Sequence, residues 1–165
     1  AYATEIGPGT LSASMVWNHL IKWDEIGIFT GDVDENAGEI LTPKNRASGN
    51  LSYGVGDWTA YWRLRYWDRS KDSNTPELFN ENDCFCANGL APSANEVASY
   101  VYNDLSLAWS NGTYTVRAGV NNLFDKKPPM LPQFTQFGNT GTNTVTEAYD
   151  TIGAAWYISF NYNTE

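Results

Sequence analysis

Few residues in this chain are placed to do chemistry, and their spacing limits what each could do. Asp32, Asp34 and Asn36 stand at alternate positions ahead of Gly38, as the oxygen ligands and tight turn of a calcium loop would. The glycine falls one place later than in an EF-hand and no glutamate closes the loop, so a solvated acidic loop is the expectation. Cys84 and Cys86 are separated by a single residue, which strains a mutual disulfide. Two thiolates alone make a poor metal site. A strained local ring and pairing with cysteines elsewhere both stay open, and either fits an oxidising compartment. His19 is the only histidine and falls on the apolar phase of a strand-like segment. A Ser-His-Asp arrangement would need it turned the other way, so a packed or interfacial imidazole is expected. The carboxylates lie in loops, without apolar surroundings to raise a pKa for acid catalysis. No catalytic constellation results, no cofactor is implied, and an enzyme is not expected. Arg63, Arg65 and Arg117 are candidates to line the path of an anionic ligand; pairing with carboxylates on their own face is the favoured alternative.

The elements that must position these residues follow from composition and period. The chain has 165 residues, 15% of them aromatic, and a formal charge of −9. That charge argues against nucleic acid, whose binding rests on Lys and Arg contacts to phosphate. No apolar run approaches the roughly 18 residues of a transmembrane helix. Trp, Tyr and Phe among Gly, Asn, Ser and Thr favour strands and turns.

Six long strands are expected from alternation. The first, Leu11 to Trp23, places Leu11, Ala13, Met15, Trp17, His19, Ile21 and Trp23 on one side. Residues 24 to 44 then form a long polar loop. The second strand, residues 46 to 55, turns at Gly56-Asp57 into the third, Trp58 to Asp68, as a hairpin would. Residues 69 to 97 are again polar. The fourth strand, Ser99 to Trp109, turns at Ser110-Asn111-Gly112 into the fifth, which starts at Tyr114 and is expected to end at Phe124. Pro128 and Pro129 cannot donate to a ladder. After a third loop, about 125 to 147, residues 151 to 162 form the last strand.

Long loops and short turns alternate, so all three long loops should emerge at one end of the sheet. None of the apolar-phase positions from Trp58 to Tyr66, nor any on the other five strands, carries Asp, Glu, Lys or Arg, although such residues are 18% of the chain. The other phase holds Lys22, Arg63, Arg65, Asp104 and Arg117 among small polar residues, as the lumen of a large barrel would. Trp23, Trp58, Tyr66, Trp109, Tyr114 and Tyr162 stand close to strand ends, where interfacial aromatic girdles lie. The expected class is an antiparallel, up-and-down transmembrane β-barrel. The alternative is a soluble β-sandwich with the apolar face buried, functioning as a secreted carbohydrate-binding module whose Trp and Tyr rings stack on sugars.

Four strings of residues resemble the TonB-dependent receptors, the outer-membrane transport barrels of Gram-negative bacteria. The first is V-N-N-L-F-D-K-K-P-P from Val120 to Pro129, which includes Asn121, Asn122, Leu123, Phe124, Asp125, Pro128 and Pro129. The others are G-D-W at Gly56 to Trp58 leading to W-R-L-R-Y at Trp62 to Tyr66, Y-N-D-L at Tyr102 to Leu105, and E-A-Y-D-T-I-G at Glu147 to Gly153, which includes Tyr149, Asp150 and Gly153. They occur in family order from about residue 45 onward.

The resemblance implies that residues 1–165 are the C-terminal strands of a barrel of about 22 strands, with the plug domain and the box that engages TonB outside this sequence. Six strands do not close, since the smallest membrane barrels have about eight. The implied partners are the rest of the barrel, the plug, the lipid bilayer of the bacterial outer membrane, the TonB complex and a small-molecule ligand. The implied activity is uptake of a scarce nutrient such as a siderophore, a cobalamin or an oligosaccharide.

Overall fold

The computed structural model describes residues 1–72, 96–131 and 144–163. These residues form strands and no helix. Seven strands make one antiparallel sheet: β1 (Tyr2–Ile6), β2 (Gly9–His19), β5 (Asn45–Val55), β6 (Trp58–Trp67), β9 (Tyr100–Ser110), β10 (Tyr114–Asn121) and β11 (Ala155–Tyr162), lying side by side in that order. Two hairpin-like pairs stand apart from it: β3 (Asp24–Ile26) with β4 (Val33–Glu35), and β7 (Ser70–Lys71) with β8 (Glu96–Val97). The long sheet is open. Strands β1 and β11 are its edges.

Register shows why this sequence makes this sheet. Starting at the first edge, Tyr2 faces Ala13, Ala13 faces Leu51, Leu51 faces Trp62, Trp62 faces Leu105, Leu105 faces Val120, and Val120 faces Trp156. One apolar row thus crosses all seven strands. Because side chains alternate with period 2, fixing this row fixes the rest, and every strand turns its apolar phase to the same side. Little covers that side: Trp17 is 63% exposed, Trp58 52% and Trp156 82%. The polar residues on it are few, and Asn103 is one. It faces Leu64 in register, and its side-chain oxygen accepts the Trp62 indole N–H at 3.0 Å.

Several boundaries differ from expectation. A seventh strand, β1, precedes the six; it is only 5 residues long, too short for its alternation to stand out. The first expected strand leaves the sheet at His19 rather than Trp23, where Leu20 N–H donates to the Lys44 carbonyl at 2.8 Å. The fifth stops at Asn121, because Asn122 adopts a left-handed φ of 52°. The last begins at Ala155 and not at 151, since Gly153, at φ 81°, breaks the extended chain. The long polar segments 24 to 44 and 69 to 97 carry the two small strand pairs.

The buried cluster also lies where the sequence did not place it. Ile40, Val97, Tyr102, Leu131, Val145, Ala148 and Tyr149, with Trp67 and Tyr100 against them, sit at the long-loop end. There they cover the phase that carries Arg65, not the apolar face. That phase is not uniformly small and polar: at this end Trp67, Tyr100 and Tyr102 give the returning loop segments an apolar seat.

Candidate functional site

Arg65 occupies the long-loop half of β6, opposite Tyr102 of β9. Its guanidinium meets two carboxylates. Nε donates to Asp104 Oδ2 and Nη2 to Asp104 Oδ1, both at 3.1 Å, a bidentate pair. Nη1 donates to Asp150 Oδ1 at 3.3 Å and Nη2 to Asp150 Oδ2 at 2.6 Å. The cation lies 5.1 Å from the centre of the Tyr102 ring, and the Tyr102 hydroxyl oxygen accepts the Asp150 N–H at 3.3 Å. The three charged side chains are 18%, 14% and 33% exposed, so charge-assisted bonds here are stronger than they would be in water.

A second tier of contacts fixes the loop that leaves β10. Asp104 Oδ1 accepts the Asn122 N–H at 2.9 Å. The fully buried Asn122 side chain then closes a ring with Lys126, accepting its N–H at 2.8 Å and donating to its carbonyl at 3.0 Å. This is Asn used for what it does best: a left-handed backbone and an amide that imitates a peptide group. Leu123 N–H donates to the Asn103 carbonyl at 2.7 Å. Asp125, also left-handed at φ 50°, accepts the Ala154 N–H at 3.0 Å and pairs with Lys127 at 2.9 Å. The Lys127 ammonium, and then the Ala154 N–H, hold the Asp125 carboxyl below the usual carboxylate range. A Cβ on Gly153 would come within 2.5 Å of Asp125 Oδ1. Burial raises the pKa of Tyr149, whose ring centre is 5.0 Å from that of Tyr100.

The residues singled out as a signature thus have different fates. Asn122, Asp125, Tyr149, Asp150 and Gly153 converge on this anchor. Asn121 is exposed and lines a cleft of about 380 Å³ beside it, together with Arg63, Asp104 and Thr151. Phe124 is exposed, Pro128 and Pro129 are half-buried, and the Leu123 side chain is half-buried as well. Of the three arginines, Arg65 is fully engaged. Arg63 is exposed, and Arg117 lies 4.7 Å from the Tyr61 ring centre; neither has a carboxylate partner among the described residues. Each carboxylate of the arrangement already accepts bonds from fixed donors. Its chemistry is attachment, joining both feet of the third long loop to the sheet.

The other sequence candidates scatter. His19 is exposed rather than packed; its Nδ1 is 2.8 Å from Asn45 Oδ1. Asn45 in turn donates to Asp68, which also accepts the Tyr66 hydroxyl at 3.0 Å and the Arg69 N–H at 2.9 Å. These donors, the Asn45 amide first, keep the Asp68 carboxyl below its ordinary pKa. In the acidic run, Asp34 faces Glu25 across the β3–β4 hairpin, and the Asn36 amide donates to Glu25 at 3.3 Å. No group of three or more His, Cys, Asp or Glu gathers among the described residues. Cys84 and Cys86 lie outside the described residues. The role of Tyr102 and Asp104 as the hub was legible only as the Y-N-D-L string; nothing in the spacing marked the chain from His19 to Asp68.

Fold and anchor together define an open antiparallel β-sheet with one uncovered apolar face. No family model, curated protein or solved structure matches the chain.

Proposed function

We propose that this chain is part of the wall of a transmembrane β-barrel in the bacterial outer membrane, belonging to a TonB-dependent receptor that takes up a scarce nutrient such as a siderophore, a cobalamin or an oligosaccharide. One observation carries the reading: the register brings the apolar phase of every long strand to one continuous face without a charged side chain, and that face is largely exposed. A soluble protein rarely leaves so large an apolar patch uncovered, whereas a barrel wall presents such a face to lipid. Strands of 10 or 11 residues in β2, β5, β6 and β9 match the roughly 9–11 residues that a tilted membrane strand needs. In this reading further strands pair with β1 and β11, the polar face meets a plug domain, and TonB engages a segment outside this sequence.

Accessibility tests it. A spin label at position 64, on the apolar face, should be relaxed by lipid-soluble oxygen and protected from a water-soluble reagent, while one at position 63 behaves in the opposite way. A label at 64 shielded from both would place it in a protein core. The membrane assignment would then fail in favour of a sandwich that binds carbohydrate.

A further inference from the structure

A cleft of about 880 Å³ opens at the long-loop end, and five separate pieces of chain build it. His19 ends β2; Lys44 and Asn45 lead into β5; Asp68 to Lys71 follow β6; Glu96 to Ser99 precede β9; Ala37 and Gly38 come from the first long loop. The last piece is held in place by backbone bonds, from Lys71 N–H to the Gly38 carbonyl at 2.9 Å and from Gly38 N–H to the Thr42 carbonyl at 2.7 Å. Ala37, Ser70 and Val97 are buried behind the wall. The cleft is therefore a built feature of the loop end.

Its lining carries Lys44, Arg69 and Lys71 against two carboxylates, Asp68 and Glu96. Asp68 already accepts bonds from the Asn45 amide, the Tyr66 hydroxyl and the Arg69 N–H, which leaves little acceptor capacity for a ligand. Glu96 stands opposite Lys71 in the β7–β8 ladder. Lys44 and Arg69 remain: both exposed, both lining the cleft, and neither in an ion pair among the described residues.

We infer that this cleft binds a small oxyanion-bearing molecule, with Lys44 and Arg69 as its cationic contacts. Arg69 offers a planar fork suited to a carboxylate or phosphate, and Lys44 a point charge. The inference rests on the proposed uptake function only in making this the place where cargo first meets the protein. The binding itself requires no membrane.

The test uses the complete protein that carries this chain, purified in detergent, with citrate as the probe and maltotriose as a neutral comparison, followed by titration calorimetry. Citrate should bind saturably and more weakly as salt rises. Lys44→Gln and Arg69→Gln should each raise its dissociation constant about tenfold, and Arg69→Lys should restore part of the loss. Lys22→Gln, at a lysine paired with Asp24 outside the cleft, should change nothing. No saturable binding up to about 10 mM citrate, or binding unmoved by both cleft substitutions, or maltotriose bound as well as citrate, would overturn the assignment. Citrate binding by a protein whose position 64 proves buried in a core would keep the site and reject the barrel; a lipid-facing position 64 without citrate binding would do the reverse.

Discussion

Replacing Arg65 by Met leaves Asp104 and Asp150 on the same face without their shared cation. Breaking a largely buried pair in this way costs about 3–5 kcal/mol, and Arg65 is little exposed. Arg65→Met should therefore lower the urea midpoint of the complete protein strongly, and adding Asp104→Asn and Asp150→Asn should recover much of the loss. A ligand-path arginine would show neither effect. Asp125 gives the second test at this scale. Its folded-state pKa is depressed, so its ionised form is the one the native structure prefers. The contact with Ala154 should be complete above the unfolded carboxylate value of about 4 and be lost as pH falls through the lower folded value. Carbon-detected NMR titration of the Asp125 carboxyl should show that low midpoint, and Lys127→Gln should move it upward. Gly153→Ala forces a left-handed alanine, at about 1–2 kcal/mol, and also presses on Asp125. These roles were only partly legible. The strings at 120–129 and 147–153 mark residues that do converge, yet no sequence pattern says that Asp150 and Asp104 share one arginine, because the three are brought together by β6–β9 pairing and by a loop returning over the sheet.

The strands themselves were far more legible, because alternation is a local signal and each long strand carries it for several periods. Trp58, Ala60, Trp62, Leu64 and Tyr66 share a face in the sheet as their spacing implies. Strand ends were misplaced where a single backbone feature decides them: Asn122 and Gly153 turn the chain, and neither has to do so by composition alone. The short strand β1 offered too few residues for its period to register. Leu64→Arg, in a complete barrel, puts a charge near the bilayer midplane and should cost about 2–4 kcal/mol. Arg63→Leu, on the opposite face and without an ion pair among the described residues, should change stability little. Unfolding in lipid vesicles measures both. Gly119 supplies a different element-scale constraint: the Tyr157 ring lies over it, 2.6 Å from where a Cβ would be, so Gly119→Val should disturb the β10–β11 ladder and weaken amide protection in β11.

At the scale of the molecule, the asymmetry of the connections orients the sheet. Gly7-Pro8, Gly56-Asp57 and the turn at Asn111-Gly112 lie at one end; the segments after His19, Trp67 and Asn121 leave from the other. Tags inserted in the complete protein in intact cells should be labelled from outside at Gly31 and not at Gly112, and the opposite pattern would reverse the topology. The two ends also differ in how they can change over time. A turn of two residues sets the register of the strands on either side of it, so an added residue there would flip one strand's faces relative to the other. The third long connection is different, because Asp125 and Ala154 hold its feet together whatever lies between Leu131 and Thr144. Doubling a flexible loop costs only about 0.6 kcal/mol in closure entropy. New sequence can thus accumulate beyond the clamped feet while the strands keep their register, which makes this end of the protein the one where variation between lineages, or a displayed foreign peptide, is tolerated.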